Sequence, residues 1–290
     1  MKPVPETVYS PASPLRDPIA LLRKILRENW ERRELCSQLF WRNIKTQYRQ
    51  TMLGILWVFL PAIISALIWI FLHSFRVIRF SDAGEISQTA YILHVLTGMF
   101  LWQSFVEGYS APIAAFQQNR NMMGKINFPR EMIILVAICE VLFNAAVRCL
   151  ILIPFVLFLT SGEGISAKTA LFPVVFSALI FSGVTVGLLL VPLGALYLDV
   201  GKVLTMITPV WMIMTPIIYP TPTSFPANLL VYCNLASPTL ITARDYLLGQ
   251  APQHEGICWL YVTLLVPLFL LAVVLYRISI PILLERSGNQ

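Results

Sequence analysis

The sequence predicts an all-α membrane protein: six transmembrane helices, an N-terminal amphipathic interfacial helix, and re-entrant outer helices between spans five and six. Three observations carry this. First, 57% of the 290 residues are hydrophobic and only 12% are charged, with a mean hydropathy of +0.72. A soluble domain usually carries about twice that charged fraction, and lipid suits such a chain better than water. Second, six segments meet or approach the ~20 apolar residues needed to cross ~30 Å of hydrocarbon. Third, sixteen of the 21 Lys and Arg fall on the N-terminal side of this topology and only Arg76, Arg79, Lys168 and Arg244 on the other. Basic flanks are retained in the cytoplasm, so both termini are expected there.

In chain order, the first 50 residues contain no apolar core of the kind a cleavable signal needs. The arm is proline-rich up to Pro18, where Asp17 can cap a helix that has Pro18 at its first position. Next, Cys36, Phe40, Ile44 and Tyr48 recur every four residues, while Arg42, Lys45 and Arg49 share the opposing face at ~100° per residue. This amphipathic helix suits the headgroup boundary. It reads either as a generic basic membrane anchor or as a helix lining the cytoplasmic mouth of a channel.

The spans follow at about Met52–Phe75, Tyr91–Phe116, Met132–Leu159, Leu171–Leu198, Val203–Tyr219 and Ile257–Tyr276. No charge interrupts the first, fourth, fifth or sixth. The fifth is short and broken by proline: Pro209, Pro216, Pro220, Pro222 and Pro226 crowd together. Proline removes a backbone donor, which a membrane tolerates only where protein or water serves the freed carbonyls. The semi-apolar stretch Phe225–Leu248, with Asn234, Pro238, Arg244 and Asp245, reads as short re-entrant or interfacial helices on the outer side.

Soluble-enzyme motifs are missing. Gly124-Lys125 is followed by Ile126, and Asn119 stands where a phosphate loop needs its first glycine. His73, His94 and His254 are isolated, and Cys36, Cys139, Cys149, Cys233 and Cys258 show no CxxC spacing, so no metal site is expected. Cys233 and Cys258 fall on the same outer side, where pairing is chemically open. No basic run is interleaved with aromatics, which leaves nucleic acid out. Energy from nucleotide hydrolysis must come from a partner chain.

The informative polar residues lie inside spans, where an unpaired charge costs several kcal/mol. Glu140, Asn144 and Arg148 stack on one face of span three. They read as a self-satisfied ladder in which Asn144 bridges the two charges, or as the wall of a hydrated path. Glu107 in span two is a separate polar group near Ser104, Tyr109 and Ser110, facing a channel or a neighbouring helix. Phe100, Trp102, Phe105, Tyr109 and Phe116 serve either helix packing and interfacial belts or sugar stacking. The loop Gln117–Arg130, QQNRNMMGKINFPR, is a solvated linker or a short helix that inserts into a partner's groove.

Four segments add a resemblance: YRQTMLGILWVFLPAI at Tyr48–Ile63; GMFLWQSF followed by NRNMMGKINFPRE, from Gly98 to Glu131; ALYLDVGKVL with TPIIYP, from Ala195 to Pro220; and NLASPTLITARDYLLG at Asn234–Gly249. In order and placement these resemble the ABC-2 exporter permeases, especially those for O-antigen and teichoic-acid polysaccharides. One departure is that Leu198 precedes Asp199 where the family often has Arg-Asp. The resemblance divides the chain into a variable cytoplasmic extension, 1–34, and an ABC-2 transmembrane domain, 35–290.

The resemblance implies a homodimer in the bacterial cytoplasmic (inner) membrane with two copies of a separate ABC ATPase. That partner would bind ATP and Mg, and this chain no cofactor. It implies a lipid-linked polysaccharide cargo and a pore between the two membrane subunits. By position it assigns coupling to Asn121, Lys125, Phe128, Pro129 and Arg130, and a cytoplasmic gate helix to Phe40, Arg42, Lys45, Tyr48 and Arg49. Phe100, Trp102, Phe105, Glu107, Tyr109, Glu140, Asn144 and Arg148 remain pore or packing candidates. Two alternatives stand beside this: an ABC-2 exporter of a small lipid or drug, and a membrane-embedded glycosyl or lipid-carrier transferase. The second would need catalytic carboxylates at a membrane surface, and the cytoplasmic loops offer only Glu131 and Asp199 beyond the terminal arms.

Overall fold

The structure is a computed structural model that describes residues 27, 30–49, 51–75, 87–125, 130–160, 167–197, 199–222 and 224–288, excepting the side chains of 120–130 and 280–288. The Asp17-Pro18 helix start and most of the 1–34 extension lie outside the described residues. Among the described residues every regular element is helical. In order they are α1 (Arg33–Arg49), a 3-10 turn (Gly54–Val58), α2 (Leu60–Ser74), α3 (Gln88–Lys125), α4 (Arg130–Leu159), a second 3-10 turn (Ala167–Leu171), α5 (Phe172–Leu196), α6 (Val200–Met214), α7 (Leu229–Tyr232), α8 (Ser237–Leu247) and α9 (Glu255–Gly288).

Four helical stretches are long and apolar enough to cross a membrane: Gln88–Asn119, Glu131–Leu159, Ala167–Leu196 and Glu255–Ser279. The first and fifth expected spans are shorter as helices, at Leu60–Ser74 and Val200–Met214. Local chemistry explains both. At the first, Gly54 turns the chain with φ +52°, a 3-10 turn follows, and α2 starts only where a proline fits its first turn. At the fifth, Pro216 forces the residue before it out of the helical region; Thr215 is extended at φ −97°, ψ 132°, and α6 stops. The loop expected from Gln117 begins later, because α3 continues unbroken to Lys125.

In lipid, apolar burial gives no drive for helices to associate, so close packing and polar contacts must do it. The centre of the fold shows the first. α5 lies against α3, α8 and α9, and α3 in turn against α2 and α4. Three glycines let α3 and α5 touch backbone to backbone. A Cβ added at Gly183 would sit 2.5 Å from the Phe105 carbonyl oxygen, one at Gly187 2.6 Å from that of Tyr109, and one at Gly108 2.8 Å from that of Ile180. This is a small-xxx-small seam. α8 is buried at every residue although it carries Arg244 and Asp245. The outward faces are apolar instead: Leu67 and Phe71 on α2, Met206 and Val210 on α6, and Leu260 and Leu264 on α9 are exposed. So large an exposed apolar surface marks a chain whose solvent is lipid or another subunit.

Four of the pore or packing aromatics lie inside the protomer. Phe100, Trp102, Phe105 and Tyr109 are all buried, as is Phe116. Trp102, Phe105 and Tyr109 surround Trp211 of α6, with ring centroids 6.0, 5.0 and 5.8 Å away. Tyr109 Oη and Thr208 Oγ1 meet at 2.5 Å. The short α6 is thereby fixed to the long α3.

Candidate functional site

α1 packs against α4 over a short stretch, its residues Cys36 to Tyr48 meeting α4 between Cys139 and Asn144. The four-residue spacing read in the sequence builds this contact. Burial, with the Cys139 thiol nearby, pushes the Cys36 thiol up to about 11, Phe40 meets Phe143 edge-on at 5.9 Å, and Ile44 is buried. Asn43 Nδ2 donates to Glu140 Oε1 at 2.8 Å, and Tyr48 Oη donates to Asn144 Oδ1 at 2.9 Å. Burial, with the Glu107 carboxylate nearby, pushes the Tyr48 phenol up to about 12. The phenol therefore keeps its proton near neutrality and remains the donor.

Beyond Tyr48 the cluster continues inward. Asn144 Nδ2 donates to Glu107 Oε1 at 2.7 Å, and Arg148 Nη1 donates to Glu107 Oε2 at 2.6 Å. Arg148 Nη1 also reaches Ser104 Oγ at 3.3 Å, and its Nε donates to the Val58 carbonyl at 2.9 Å. Arg148 is buried. This corrects the ladder expected within span three. Asn144 does not bridge Glu140 to Arg148: the carboxylate paired with Arg148 is Glu107, from a different helix. Glu140 lies two turns from Arg148 along α4 and turns to α1 instead. Charge-assisted bonds of this kind are the strong ones, and burial makes each partner costly to lose. By contrast, Asp199 pairs with Lys202 at 3.2 Å on the exposed surface, where such pairs contribute little.

α1, α3 and α4 line a half-open cavity of about 510 Å³. Its walls are mostly polar and include Arg42, Asn43, Gln47, Glu107, Gln118 and Glu140. The amphipathic helix thus forms one wall of a polar space while its apolar face rests on α4. Lys45 and Arg49 stay exposed on the other face, and Arg42 is exposed at the rim of the cavity.

A second polar cluster holds the opposite end of the bundle, and the sequence reading assigned its members no partners. Arg244 Nη1 donates to the Pro216 carbonyl at 3.1 Å and lies 2.9 Å from His94 Nε2. The same Nε2 lies 3.3 Å from the Tyr219 carbonyl; it accepts from Arg244 in one tautomer or donates to that carbonyl in the other, and the shorter contact is with Arg244. Asn234 accepts from Trp211 Nε1 at 2.8 Å and donates to Thr215 Oγ1 at 2.8 Å. Glu255 accepts from Lys168 Nζ at 2.6 Å and from Tyr246 Oη at 2.8 Å. The signal was present in the proline run, whose freed carbonyls need donors; Arg244 is one of them.

Of the coupling residues, Asn121 and Lys125 lie on the last turns of α3 and Arg130 begins α4. Their side chains, with Phe128 and Pro129, lie outside the described residues. Among the described residues no group of three or more His, Cys, Asp or Glu is placed to hold a metal ion. The five cysteines are free; Cys233 is exposed and Cys258 is buried.

Residues 34–248 match the ABC-2 type transporter family. Over 200 residues the chain is 24% identical to the O-antigen export system permease protein RfbA of Myxococcus xanthus, covering 69% of this chain and 74% of that protein. Over 92 residues it is 27% identical to the O-antigen export system permease protein RfbA of Klebsiella pneumoniae, covering 32% of this chain and 33% of that protein.

Proposed function

This chain belongs to the ABC-2 type transporter family, and from that premise we propose that it is the permease subunit of an exporter that carries a lipid-linked cell-surface polysaccharide of the O-antigen class across the bacterial cytoplasmic membrane. The observation that carries the cargo assignment is the similarity to the two O-antigen export permeases. In this reading six segments span. The 3-10 turn and α2 together cover Gly54–Ser74, about the length a span needs, and α6 crosses with help from the loop that follows it. α7 and α8 are re-entrant from the outer side, and both termini are cytoplasmic.

Two copies of the chain associate with two copies of an ABC ATPase, which supplies ATP, Mg and the hydrolytic step. The C-terminal turns of α3, with Asn121 and Lys125, and the loop through Phe128, Pro129 and Arg130 receive the push of the ATPase. Phe40, Arg42, Lys45, Tyr48 and Arg49 belong to the helix that closes the cytoplasmic mouth. The polar cavity behind it offers amides and carboxylates to sugar hydroxyls. The transferase alternative loses ground at the same place. Glu107 is engaged by Arg148 and Asn144, and Glu140 by Asn43, which leaves neither as a free general base.

The test is deletion of the gene, with the glycan that stalls in the cytoplasm identified. Accumulated lipid-linked polysaccharide supports the reading. Normal surface polysaccharide with a stalled small lipid instead would assign the cargo to the other exporter class.

A further inference from the structure

α1 has the pattern of a surface-lying amphipathic helix, yet its apolar side is not available to lipid. Ile44 is buried, Phe40 contacts Phe143, and Tyr48 is tied to Asn144. What faces outward is different in kind. Arg42, Lys45 and Arg49 fall within about 60° of one another at ~100° per residue and all three are exposed. Trp41 adjoins them, 52% exposed, and Trp30, before the helix begins, is 70% exposed with Arg33 stacked on its ring at 5.0 Å. The acids among residues 30–49 are Glu31, paired with Arg27 at 2.9 Å, and Glu34, both N-terminal to the Arg42–Arg49 face.

Directly after the helix the apolar anchor returns in another form. Met52, Leu53, Ile55, Leu56 and Trp57 are all exposed on or beside the 3-10 turn at the mouth of the first apolar helix. The order along the chain is thus a cationic, tryptophan-bearing face followed at once by an apolar knob. Tryptophan prefers the headgroup level, cations prefer an anionic leaflet, and an apolar knob prefers the acyl layer beneath.

We propose that the outer face of α1, with the 52–57 turn below it, is a binding surface for anionic phospholipid headgroups. The knob fixes depth. Arg42, Lys45 and Arg49 then meet the lipid phosphates and give selectivity for negative charge. The occupant is argued from charge complementarity and from the continuity of cationic, aromatic and apolar layers. It depends on a membrane-embedded chain and not on the cargo.

The experiment uses the full chain purified in mild detergent and offered phosphatidylglycerol and phosphatidylcholine in equal amounts, with retained lipids counted by native mass spectrometry. Each basic side chain near an anionic surface strengthens association roughly fivefold. The variant Arg42→Gln/Lys45→Gln/Arg49→Gln is therefore expected to lose its preference for phosphatidylglycerol by about tenfold or more, with phosphatidylcholine retention unchanged. Arg42→Lys/Lys45→Arg/Arg49→Lys is expected to keep the preference. If the triple variant is unstable, Lys45→Gln/Arg49→Gln replaces it, because both side chains are outside the cavity wall. Undiminished preference in a folded neutral variant overturns the proposal. So does a neutral variant that keeps its lipids but no longer captures a purified ATPase subunit, since the face would then be a protein-docking surface.

Discussion

Arg148 of α4 closes on Glu107 of α3 at 2.6 Å while its Nε holds the Val58 carbonyl at 2.9 Å. One guanidinium therefore joins three parts of the chain: the turn that leads into α2, the middle of α3 and the middle of α4. Losing it leaves the half-buried Glu107 carboxylate with Asn144 alone as donor and the Val58 carbonyl without its guanidinium. Arg148→Met is expected to cost about 3–5 kcal/mol, the usual penalty for breaking a buried pair. Glu107→Gln/Arg148→Met should cost clearly less than the sum of its two single changes. Unfolding of the four proteins in one detergent measures the coupling, and strictly additive losses would show that the pair contributes nothing as a pair.

The glycine seam has a sharper length scale. Gly183→Ala places a methyl carbon 2.5 Å from the Phe105 carbonyl oxygen, closer than van der Waals radii permit, so α3 and α5 must part. Overpacking of this kind costs about 1–3 kcal/mol. Gly256→Ala, with nothing within 4 Å of the added Cβ, is the control and should leave stability unchanged or slightly higher. Melting temperatures that fail to separate the two variants would mean that the helices are not in backbone contact.

Docking of α1 on α4 can be trapped chemically. With the Cys139 thiol near enough to raise the titration of Cys36, a mild oxidant is expected to join them within one chain, visible as a cross-linked peptide pair. Cys139→Ser should abolish it, and Cys149→Ser should not. If α1 must leave α4 for cargo to pass, the cross-linked protein will bind its ATPase and hydrolyse ATP but will not transport. Failure to cross-link in any condition would place α1 elsewhere.

Trp211 separates packing from hydrogen bonding. Trp211→Phe keeps an aromatic ring beside Phe105 and Tyr109 but removes the donor to Asn234, at an expected cost of about 1 kcal/mol. Trp211→Ala empties the cluster, for about 3–5 kcal/mol. Equal losses in the two variants would argue that the ring itself is dispensable.

In the proposed exporter, coupling to the ATPase draws on charge at the C-terminal end of α3. Lys125→Glu/Arg130→Glu is expected to reduce ATPase recovery in a mild-detergent pull-down at least several-fold, more so at low salt where screening is weak. Intact recovery and transport in this variant would remove these residues from the contact.

Much of this was legible in the sequence because it is periodic. The four-residue spacing of Cys36, Phe40, Ile44 and Tyr48 predicted a face, and α1 uses that face. The long apolar runs of α3, α4, α5 and α9 predicted helices of spanning length. The partners of the polar residues were not legible. Glu140, Asn144 and Arg148 share a face of one helix, so a self-contained ladder was the economical reading. Which carboxylate meets Arg148 depends on how α3 and α4 cross, and spacing within α4 carries no information about that. Likewise Arg244 and Pro216 are 28 residues apart, and a proline run announces only that donors are needed. The bounds of α2 and α6 were misjudged for a simpler reason. Apolar runs measure hydropathy, whereas Gly54 and Pro216 act on backbone angles and end the helices inside those runs.

The contact of α3 with α5 at Gly108 also makes α3 a lever. Seventeen residues separate that contact from Lys125, about 26 Å at 1.5 Å per residue, and twenty separate it from Gln88, about 30 Å. The arms are nearly equal, and Pro112 sits one turn from the fulcrum. In the proposed exporter, a rigid tilt of α3 about this seam would return a displacement of the Lys125 end at the Gln88 end with similar size and opposite sense, so that the two faces of the membrane would be geared at close to one to one.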